Sequence, residues 1–286
     1  MTKLATVTNI NIPAPTYQQL TAHIEQKHQL AWCYMHAAPR PCFTSRLLED
    51  LNSWCGYMHE QAPSLGLRYH VIASSVPGIF NLGGDLNLFR TLAEIGDRAG
   101  LLKYGTRCID ALYANIVSFD SPVTTISLVQ GQALGGGFET ALSSDVVIAE
   151  KGARLGFPEI LFNLFPGMGA YSLLSRKLDP KRAERIILGG KLYTAEELYD
   201  MGLVDVLADV GEGEMAVYDY IKRENRARNG FRAVRRVRDA NNPITYEELM
   251  QTLEIWVDTA MQLEKRDLKM MDRLVSRQEQ VATNAA

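Results

Sequence analysis

The sequence predicts an α/β fold in which one core is followed by a helical C-terminal region. Strand-like and helix-like segments alternate in the first half of the 286-residue chain, which is typical of βαβ crossovers and of a mixed or parallel sheet. The second half places apolar residues at helical spacing between well-marked helix ends. Hydrophobic residues make up 47% of the chain and supply a substantial core. No Gly/Ser-rich linker divides the chain, so we do not predict separate domains. We predict an extension over residues 1–28, a core over 29–222 and a helical region over 223–286.

The elements of the first half follow from apolar periodicity and from the positions of prolines. Pro13 and Pro15 break any helix near the start, so no element is predicted before residue 29. Pro39 and Pro41 mark the end of the first strand. The predicted elements are a strand at 29–37, an amphipathic helix at 43–60, a strand at 67–75, a helical region at 86–119, a strand at 123–129 and a helix at 138–149.

Helix ends in the second half are marked by capping residues. Asp179-Pro180 is an N-cap followed by proline at the first helical position, and Gly189-Gly190 ends that helix. Thr194 with Glu197, and Thr245 with Glu248, have the spacing of capping boxes. The apolar face of the helix after Thr245 is predicted to contain Leu249, Leu253, Trp256, Val257, Ala260 and Leu263, and that of the final helix Leu268, Met271, Leu274 and Val275.

Composition and charge exclude several classes of protein. The net charge of −3 gives no basic field for nucleic acid or for an anionic membrane surface. No apolar run approaches the roughly 20 residues that span a bilayer, and the first fifteen residues have no signal-peptide apolar region. The four cysteines lack Cys-x-x-Cys spacing and the five histidines lack metal-like spacing. We therefore expect a cytoplasmic protein with free thiols, no metal, no cofactor, no membrane insertion and no nucleic-acid partner.

Three glycine-marked loops, at residues 82–85, 135–137 and 166–169, bear on the chemistry. A P-loop needs Lys-Ser/Thr after its glycines, whereas Phe138-Glu139 follows here, and the Gly-x-Gly-x-x-Gly fingerprint is absent, so phosphate binding is the weaker interpretation. The N–H of Gly136 at the start of a helix, paired with a donor from Gly83-Gly84, instead fits an oxyanion hole. One such donor stabilises a developing oxyanion by about 3 kcal/mol. Glycines that only permit tight turns are the structural alternative.

Two glutamates accompany these loops. Glu139 directly follows the second glycine loop, and Glu159 lies between apolar flanks in Gly156-Phe157-Pro158-Glu159-Ile160. A single glutamate would most often be a solvated surface group. When two carboxyl groups share one pocket, their proton affinities move apart, so that one can act as an acid while the other acts as a base. That division suits the addition or removal of water, although spacing alone does not show that the two side chains meet.

Taken together, these motifs resemble the enoyl-CoA hydratase/isomerase (crotonase) superfamily over residues 39–222. The resemblance implies a spiral of ββα turns with a helical C-terminal trimerisation region. It also implies that the N–H groups of Gly84 and Gly136 form the oxyanion hole for a thioester carbonyl. Glutamate stands at both positions that carry glutamate in the hydratases, Glu139 and Glu159, which favours water chemistry. Leu82 departs from the pattern, in which a small residue often precedes the glycine. The matching stretches are 81–85, 131–139, 157–160, 166–169, 195–197 and 202–204.

At finer grain the chain is similar to the diffusible signal factor synthases. The similarity rests on the N-terminal extension, on residues 79–86 and 161–169, and on the long C-terminal helical tail with Trp256. It implies dehydration of a 3-hydroxyacyl carrier-protein thioester to a cis-2-enoyl thioester, then hydrolysis to a free fatty acid used in quorum sensing. It also implies a homotrimer and a regulatory sensor protein as partners. A conventional enoyl-CoA hydratase and a catalytically silent acyl-binding scaffold are the alternatives. Which glutamate is the base in each step stays open.

Two local features fit a carrier-bound fatty acyl group. Residues 222–238 are strongly basic and could dock an acidic carrier protein or contact a phosphate, while a solvated helix face is the alternative. Met168, Trp256 and Leu274 are candidates for the acyl pocket because methionine and aromatic side chains suit a flexible chain. Ordinary core packing is the alternative for these three residues.

Overall fold

The computed structural model describes residues 16–285, with side chains described as far as Ser276, and it has the α/β fold expected from the sequence. A six-stranded sheet forms its centre. Its strands are β1 (Leu20–Glu25), β2 (Leu30–Met35), β3 (Tyr69–Ser74), β5 (Thr124–Val129), β7 (Val146–Glu150) and β10 (Val206–Ala208), in the spatial order β1-β2-β3-β5-β7-β10. All pairings from β2 to β10 are parallel. The strands β5 and β7 are buried along their whole length, as expected for a parallel sheet covered on both faces.

A second sheet positions the functional loops. Its strands are β4 (Ile79–Asn81), β6 (Gln132–Leu134), β8 (Arg154–Gly156) and β9 (Leu192–Thr194), in that spatial order. The strands β4, β6 and β8 each follow a central strand in the chain, namely β3, β5 and β7, and they pair in parallel with one another. The loops that leave β4, β6 and β8 therefore emerge side by side. This is the spiral of ββα turns expected from the resemblance.

The helices lie on both faces of the central sheet and at its carboxyl end. They are α1 (Ser45–Gln61), α2 (Leu86–Glu94), α3 (Arg98–Ile116), α4 (Gly136–Ser143), α5 (Ala170–Lys177), α6 (Pro180–Gly189), α7 (Ala195–Asp200), α8 (Gly213–Asn225), α9 (Arg228–Asn241), α10 (Tyr246–Ala260) and α11 (Lys265–Ala285). The N-cap of Asp179 and the reciprocal capping box of Thr194 with Glu197 are confirmed. Only half of the box predicted for Thr245 with Glu248 is found: Thr245 accepts from the N–H of Glu248, whose carboxylate pairs with Arg176.

Two of the predicted element boundaries in the first half of the chain are corrected by the structure. Residues 20–25, which we assigned to the extension, form the edge strand β1, which runs antiparallel to β2 with Leu20 opposite Met35. That strand is short and mostly polar, with only Leu20 buried, so its apolar signal is weak. The helix predicted over 138–149 ends at Ser143, and Val146–Glu150 is the strand β7. Its β-branched residues pair with β5, a tertiary contact that overrides local helix propensity.

The C-terminal helices close over the carboxyl end of the spiral. Helix α10 packs on α3, and α11 packs on α2. The predicted apolar face of α10 is buried at Leu249, Leu253, Trp256, Val257 and Ala260, whereas Leu263 lies beyond the end of that helix. Of the helices within residues 16–285, none is both long enough and apolar enough to cross a bilayer.

Candidate active site

A cavity of about 320 Å³ opens where the loops after β4, β6 and β8 meet the C-terminal helices. Its walls are mostly apolar, and its polar groups are concentrated at the glycine loops. All seven residues singled out from the sequence line it, namely Gly84, Gly136, Glu139, Glu159, Met168, Trp256 and Leu274. The structure therefore brings together in one place residues that are up to 190 positions apart in the chain.

The first two glycine loops touch each other at the base of the cavity. Gly83 has a φ of +89°, and a Cβ atom placed on it would lie 2.7 Å from the carbonyl oxygen of Leu134 and 3.1 Å from the nitrogen of Gly136. Only glycine allows both that backbone conformation and that approach. The N–H of Gly84 follows directly, and Gly84 forms a parallel bridge with Phe43. The two backbone donors proposed for the oxyanion hole are thus carried by loops in direct contact.

Helix α4 begins at the second donor. Gly136 is its first residue, so its N–H has no carbonyl to meet within the helix and lies at the positive end of the helix dipole. Within residues 16–285 neither the N–H of Gly136 nor that of Gly84 donates a hydrogen bond. A Cβ atom on Gly136 would lie 2.9 Å from the sulfur of Met168. Glycine at this position keeps the donor accessible from the cavity.

Glu139 lies in the first turn of α4 and is 1% exposed. Its Oε1 accepts hydrogen bonds from the N–H groups of Met168 at 2.8 Å and Ala170 at 2.9 Å. Met168 belongs to the third glycine loop, at residues 166–169, and Ala170 directly follows it, so this part of the chain surrounds the carboxylate. Burial raises the pKa of Glu139 to about 7, while the backbone donors oppose that rise by stabilising the charged form.

Glu159 begins a short 3₁₀ turn after β8. Its Oε2 is buried and has no hydrogen-bond partner among the described residues, and its Oε1 lies 2.3 Å from where a Cβ atom on Gly135 would stand. Burial, followed by the charge of Glu139, raises the pKa of Glu159 to about 8. The two carboxyls therefore influence each other. Glu139, which has two N–H donors, is favoured to hold the charge while Glu159 holds the proton.

The rest of the cavity is an apolar wall. Trp256 packs edge-to-face on Phe89 with ring centroids 4.9 Å apart, and a Cβ atom on Gly167 would lie 2.3 Å from its indole ring. Sequence reasoning did not single out several wall residues, because residues within amphipathic helices cannot be divided into core and cavity by spacing. These residues include Phe89, Tyr104, Cys108, Phe162, Leu164 and Leu253.

The basic segment 222–238 lies away from this cavity. Arg235 donates to Thr124 at the start of β5 and to Glu224, and Arg238 donates to Asp145, which directly precedes β7. The cavity instead forms beyond the carboxyl ends of these strands. Within one chain the segment therefore does not reach the proposed reacting centre, and two of its arginines form intramolecular ion pairs.

The free thiols expected from the sequence are present at Cys33, Cys42, Cys55 and Cys108. Burial raises the pKa of all four, as expected for unreactive thiols. In the part of the chain whose side chains are described, no cluster of histidine, cysteine, aspartate or glutamate could hold a metal ion.

The cavity thus combines apolar walls with the buried acid Glu139, the partly buried acid Glu159 and two backbone donors that are unpaired among the described residues, which is an arrangement suited to catalysis. The model of the enoyl-CoA hydratase/isomerase family matches residues 43–267, so the chain belongs to this family. The chain is 30% identical over 172 residues to a probable enoyl-CoA hydratase of Bacillus subtilis, covering 60% of this chain and 63% of that protein. It is 34% identical over 147 residues to the probable mitochondrial enoyl-CoA hydratase 2 of Arabidopsis thaliana, covering 51% and 46%. The matches thus span less than two thirds of either relative's length.

Solved structures show the same fold. DspI of Pseudomonas aeruginosa is 25% identical, with a TM-score of 0.67, covering 84% of this chain and 94% of that one. The enoyl-CoA hydratase from Bacillus halodurans is 19% identical with a TM-score of 0.76, covering 90% and 100%, a likeness of fold alone.

Proposed function

We propose that this chain moves water into or out of a fatty acyl thioester, with Glu139 and Glu159 as the proton-transfer groups. The observation that carries the proposal is the position of both acids in one apolar cavity beside the N–H groups of Gly84 and Gly136. The thioester carbonyl oxygen would accept hydrogen bonds from these two donors. They would stabilise the enolate that forms when the proton on the neighbouring carbon is removed.

A pair in which one acid is charged while the other is protonated suits this chemistry in both directions. When Glu139 is charged and Glu159 is protonated, the pair is ready for hydration: Glu139 takes a proton from water, the oxygen bonds to C3, and Glu159 protonates C2. Elimination starts from the reverse arrangement, in which Glu159 removes the C2 proton and Glu139 protonates the departing hydroxyl. The raised pKa values of about 7 and about 8 keep both arrangements accessible near neutral pH.

The finer proposal is that the chain dehydrates a 3-hydroxyacyl carrier-protein thioester to a cis-2-enoyl thioester and then hydrolyses it. The product would be a fatty acid signal for quorum sensing, made in the cytoplasm by a homotrimer under the control of a sensor protein. The motifs shared with diffusible signal factor synthases support this proposal, as does the apolar wall of Met168, Trp256 and Leu274. Its hydrolytic step requires a water molecule near the thioester carbon, activated by one of the two acids.

A conventional enoyl-CoA hydratase is the second candidate, and the relatives in Bacillus subtilis and Arabidopsis thaliana favour it. Incubation with 3-hydroxydodecanoyl carrier protein and with the matching CoA thioester separates the two functions by mass spectrometry. Free cis-2-enoic acid supports the signal synthase. An intact trans-2-enoyl thioester without free acid contradicts it and supports the hydratase.

Substitution of the acids tests the shared part of both proposals. Glu139→Gln and Glu159→Gln should each lower kcat by at least about a thousandfold, because each removes a proton-transfer group. Glu247→Gln, which changes an exposed carboxylate on α10, is the matched control and should retain full turnover. Wild-type turnover in both cavity variants would show that these acids do not carry out the reaction.

A further inference from the structure

The loop that carries Gly84 is held by one buried phenol. Tyr104 lies on α3 and is 6% exposed. Its hydroxyl donates to the carbonyl oxygen of Phe43 at 2.5 Å and accepts from the N–H of Asp85 at 3.1 Å. Phe43 is the bridge partner of Gly84, and Asp85 is the next residue in the chain. A single oxygen therefore ties together the two backbone segments on either side of the proposed donor.

The surroundings of this phenol restrict its movement. Helix α3 packs against α1 and α10, so Tyr104 projects from an element with support on two sides. The ring of Phe89 packs edge-to-face on Tyr104 with centroids 5.2 Å apart. The same ring covers Gly84, where a Cβ atom would lie 2.4 Å from it. Burial raises the pKa of the Tyr104 hydroxyl far above its ordinary value, so the hydroxyl stays protonated and keeps its donor role.

A second contact on the same loop acts differently. The side chain of Asp85 pairs with Arg40 at 2.7 Å and caps α2 by accepting from the N–H groups of Asn87 and Leu88. These contacts use the carboxylate and fix the start of the helix. The backbone amide of Asp85, which shares its peptide plane with the carbonyl of Gly84, is held by Tyr104. The N–H of Gly84 itself belongs to the preceding peptide, whose carbonyl oxygen, on Gly83, accepts from the N–H of Phe43 at 2.8 Å. Tyr104 therefore holds the peptide after Gly84 directly, and through the carbonyl oxygen of Phe43 it also holds the residue that fixes the peptide before Gly84.

We infer that Tyr104 is a positioning residue, whose hydroxyl orients the N–H of Gly84 toward the thioester carbonyl without contacting the reacting atoms. This inference rests on the proposed function, because it gives Gly84 the role of carbonyl donor. Tyr104 is among the residues that line the cavity, but its hydroxyl donates to the carbonyl oxygen of Phe43 and accepts from the N–H of Asp85. Loss of the hydroxyl should weaken polarisation of the carbonyl while leaving the acids and the acyl wall in place.

Tyr104→Phe tests the inference, with Tyr69→Phe as the matched control. Tyr69 is also a buried tyrosine, and its hydroxyl donates to Asn225 at 3.0 Å; neither residue lines the cavity. Tyr104→Phe should lower kcat by about tenfold to a hundredfold, as expected for one misaligned oxyanion donor, with KM changed by less than about threefold. Tyr69→Phe should lose a comparable amount of stability and keep wild-type kcat.

A spectroscopic readout separates positioning from simple destabilisation. In the Glu159→Gln background a bound 2-enoyl thioester should show a carbonyl stretching frequency below its value in solution, because two N–H donors polarise the bond. Adding Tyr104→Phe should return the frequency toward the solution value, and adding Tyr69→Phe should not. Equal frequencies and equal kcat values in the two phenylalanine variants would overturn the inference.

Hydrogen exchange provides a test that needs no variant at position 104. In the unmodified protein the amide proton of Asp85 should exchange at least about tenfold more slowly than an exposed amide, because it is bonded to the phenol. Exchange at the exposed rate would overturn the inference even if Tyr104→Phe did not fold. Absence of wild-type turnover together with slow exchange would instead contradict the proposed function, so the two failures are distinguishable.

Discussion

Replacement of Gly135 by alanine should displace one proposed catalytic acid by a defined amount. Gly135 precedes α4 with φ of 52° and ψ of −123°, a conformation that residues other than glycine rarely adopt. A Cβ atom there would lie 2.3 Å from Oε1 of Glu159. Because such contacts do not come closer than about 3.0 Å, the carboxyl group must retreat by about 0.7 Å or more. The substitution therefore moves Glu159 without changing it.

The expected loss follows from that displacement. A shift of about 1 Å in a reacting group can lower a rate about a hundredfold, so kcat of Gly135→Ala should fall on that scale. Backbone strain should lower the free energy of unfolding by about 1–3 kcal/mol. Gly152→Ala is the matched control, since Gly152 also has a positive φ of +80° but nothing within 4 Å of the added Cβ atom. It should lose stability and keep its kcat.

The assay follows the ultraviolet absorbance of a 2-enoyl thioester during hydration, with thermal unfolding of both variants measured in parallel. Comparison at matched fractions of folded protein removes the effect of stability. If kcat of Gly135→Ala equalled that of Gly152→Ala, the proposed catalytic position of Glu159 beside Gly135 would be refuted. A uniform rise in KM at constant kcat would also contradict it, because it would indicate a substrate contact instead of a proton-transfer group.

Three further predictions follow from the cavity. Because the folded-state pKa of Glu159, about 8, lies above its ordinary value of 4.5, the folded protein retains a proton that the unfolded chain releases, and stability falls as pH rises through that window. Glu159→Gln should therefore unfold at a higher temperature than the wild type at pH 8 and at nearly the same temperature at pH 4. An equal difference in unfolding temperature at both pH values would contradict this prediction. The pH profile of kcat/KM should be bell-shaped with limbs near 7 and 8 that belong to the pair of acids, whereas a flat profile would contradict their role as the proton-transfer groups. Gly167→Ala places a Cβ atom 2.3 Å from the ring of Trp256, so KM should rise more for long acyl thioesters than for short ones, while Gly189→Ala, with open space around it, should change neither.

Much of the site could be recognised before any coordinates were considered. The glycine loops, the acids and the family resemblance singled out Gly84, Gly136, Glu139 and Glu159, and the structure places all four in the lining of one cavity. Helix caps such as Asp179 were equally readable, since capping depends on residues three or four positions apart. Features that depend only on neighbouring residues can be predicted from the sequence.

Features that depend on residues far apart in the chain could not be predicted in this way. The strand β7 resembled a continuing helix until its pairing with β5 was known, and β1 carried too little apolar signal to be separated from the extension. The hydroxyl of Tyr104 bonds to Phe43, 61 residues away in the chain, and to Asp85, 19 residues away, and no local sequence pattern predicts these contacts.

The sequence by itself determined the α/β class, the types of residue available for chemistry and the order of the loops that carry them. Only the tertiary structure decided that Glu139 is buried and held by two N–H groups, and that Glu159 is left without a hydrogen-bond partner on Oε2 among the described residues. The physical reason is that burial and charge proximity, which set the pKa values of the two acids, depend on distances in space. Separation along the chain does not fix those distances.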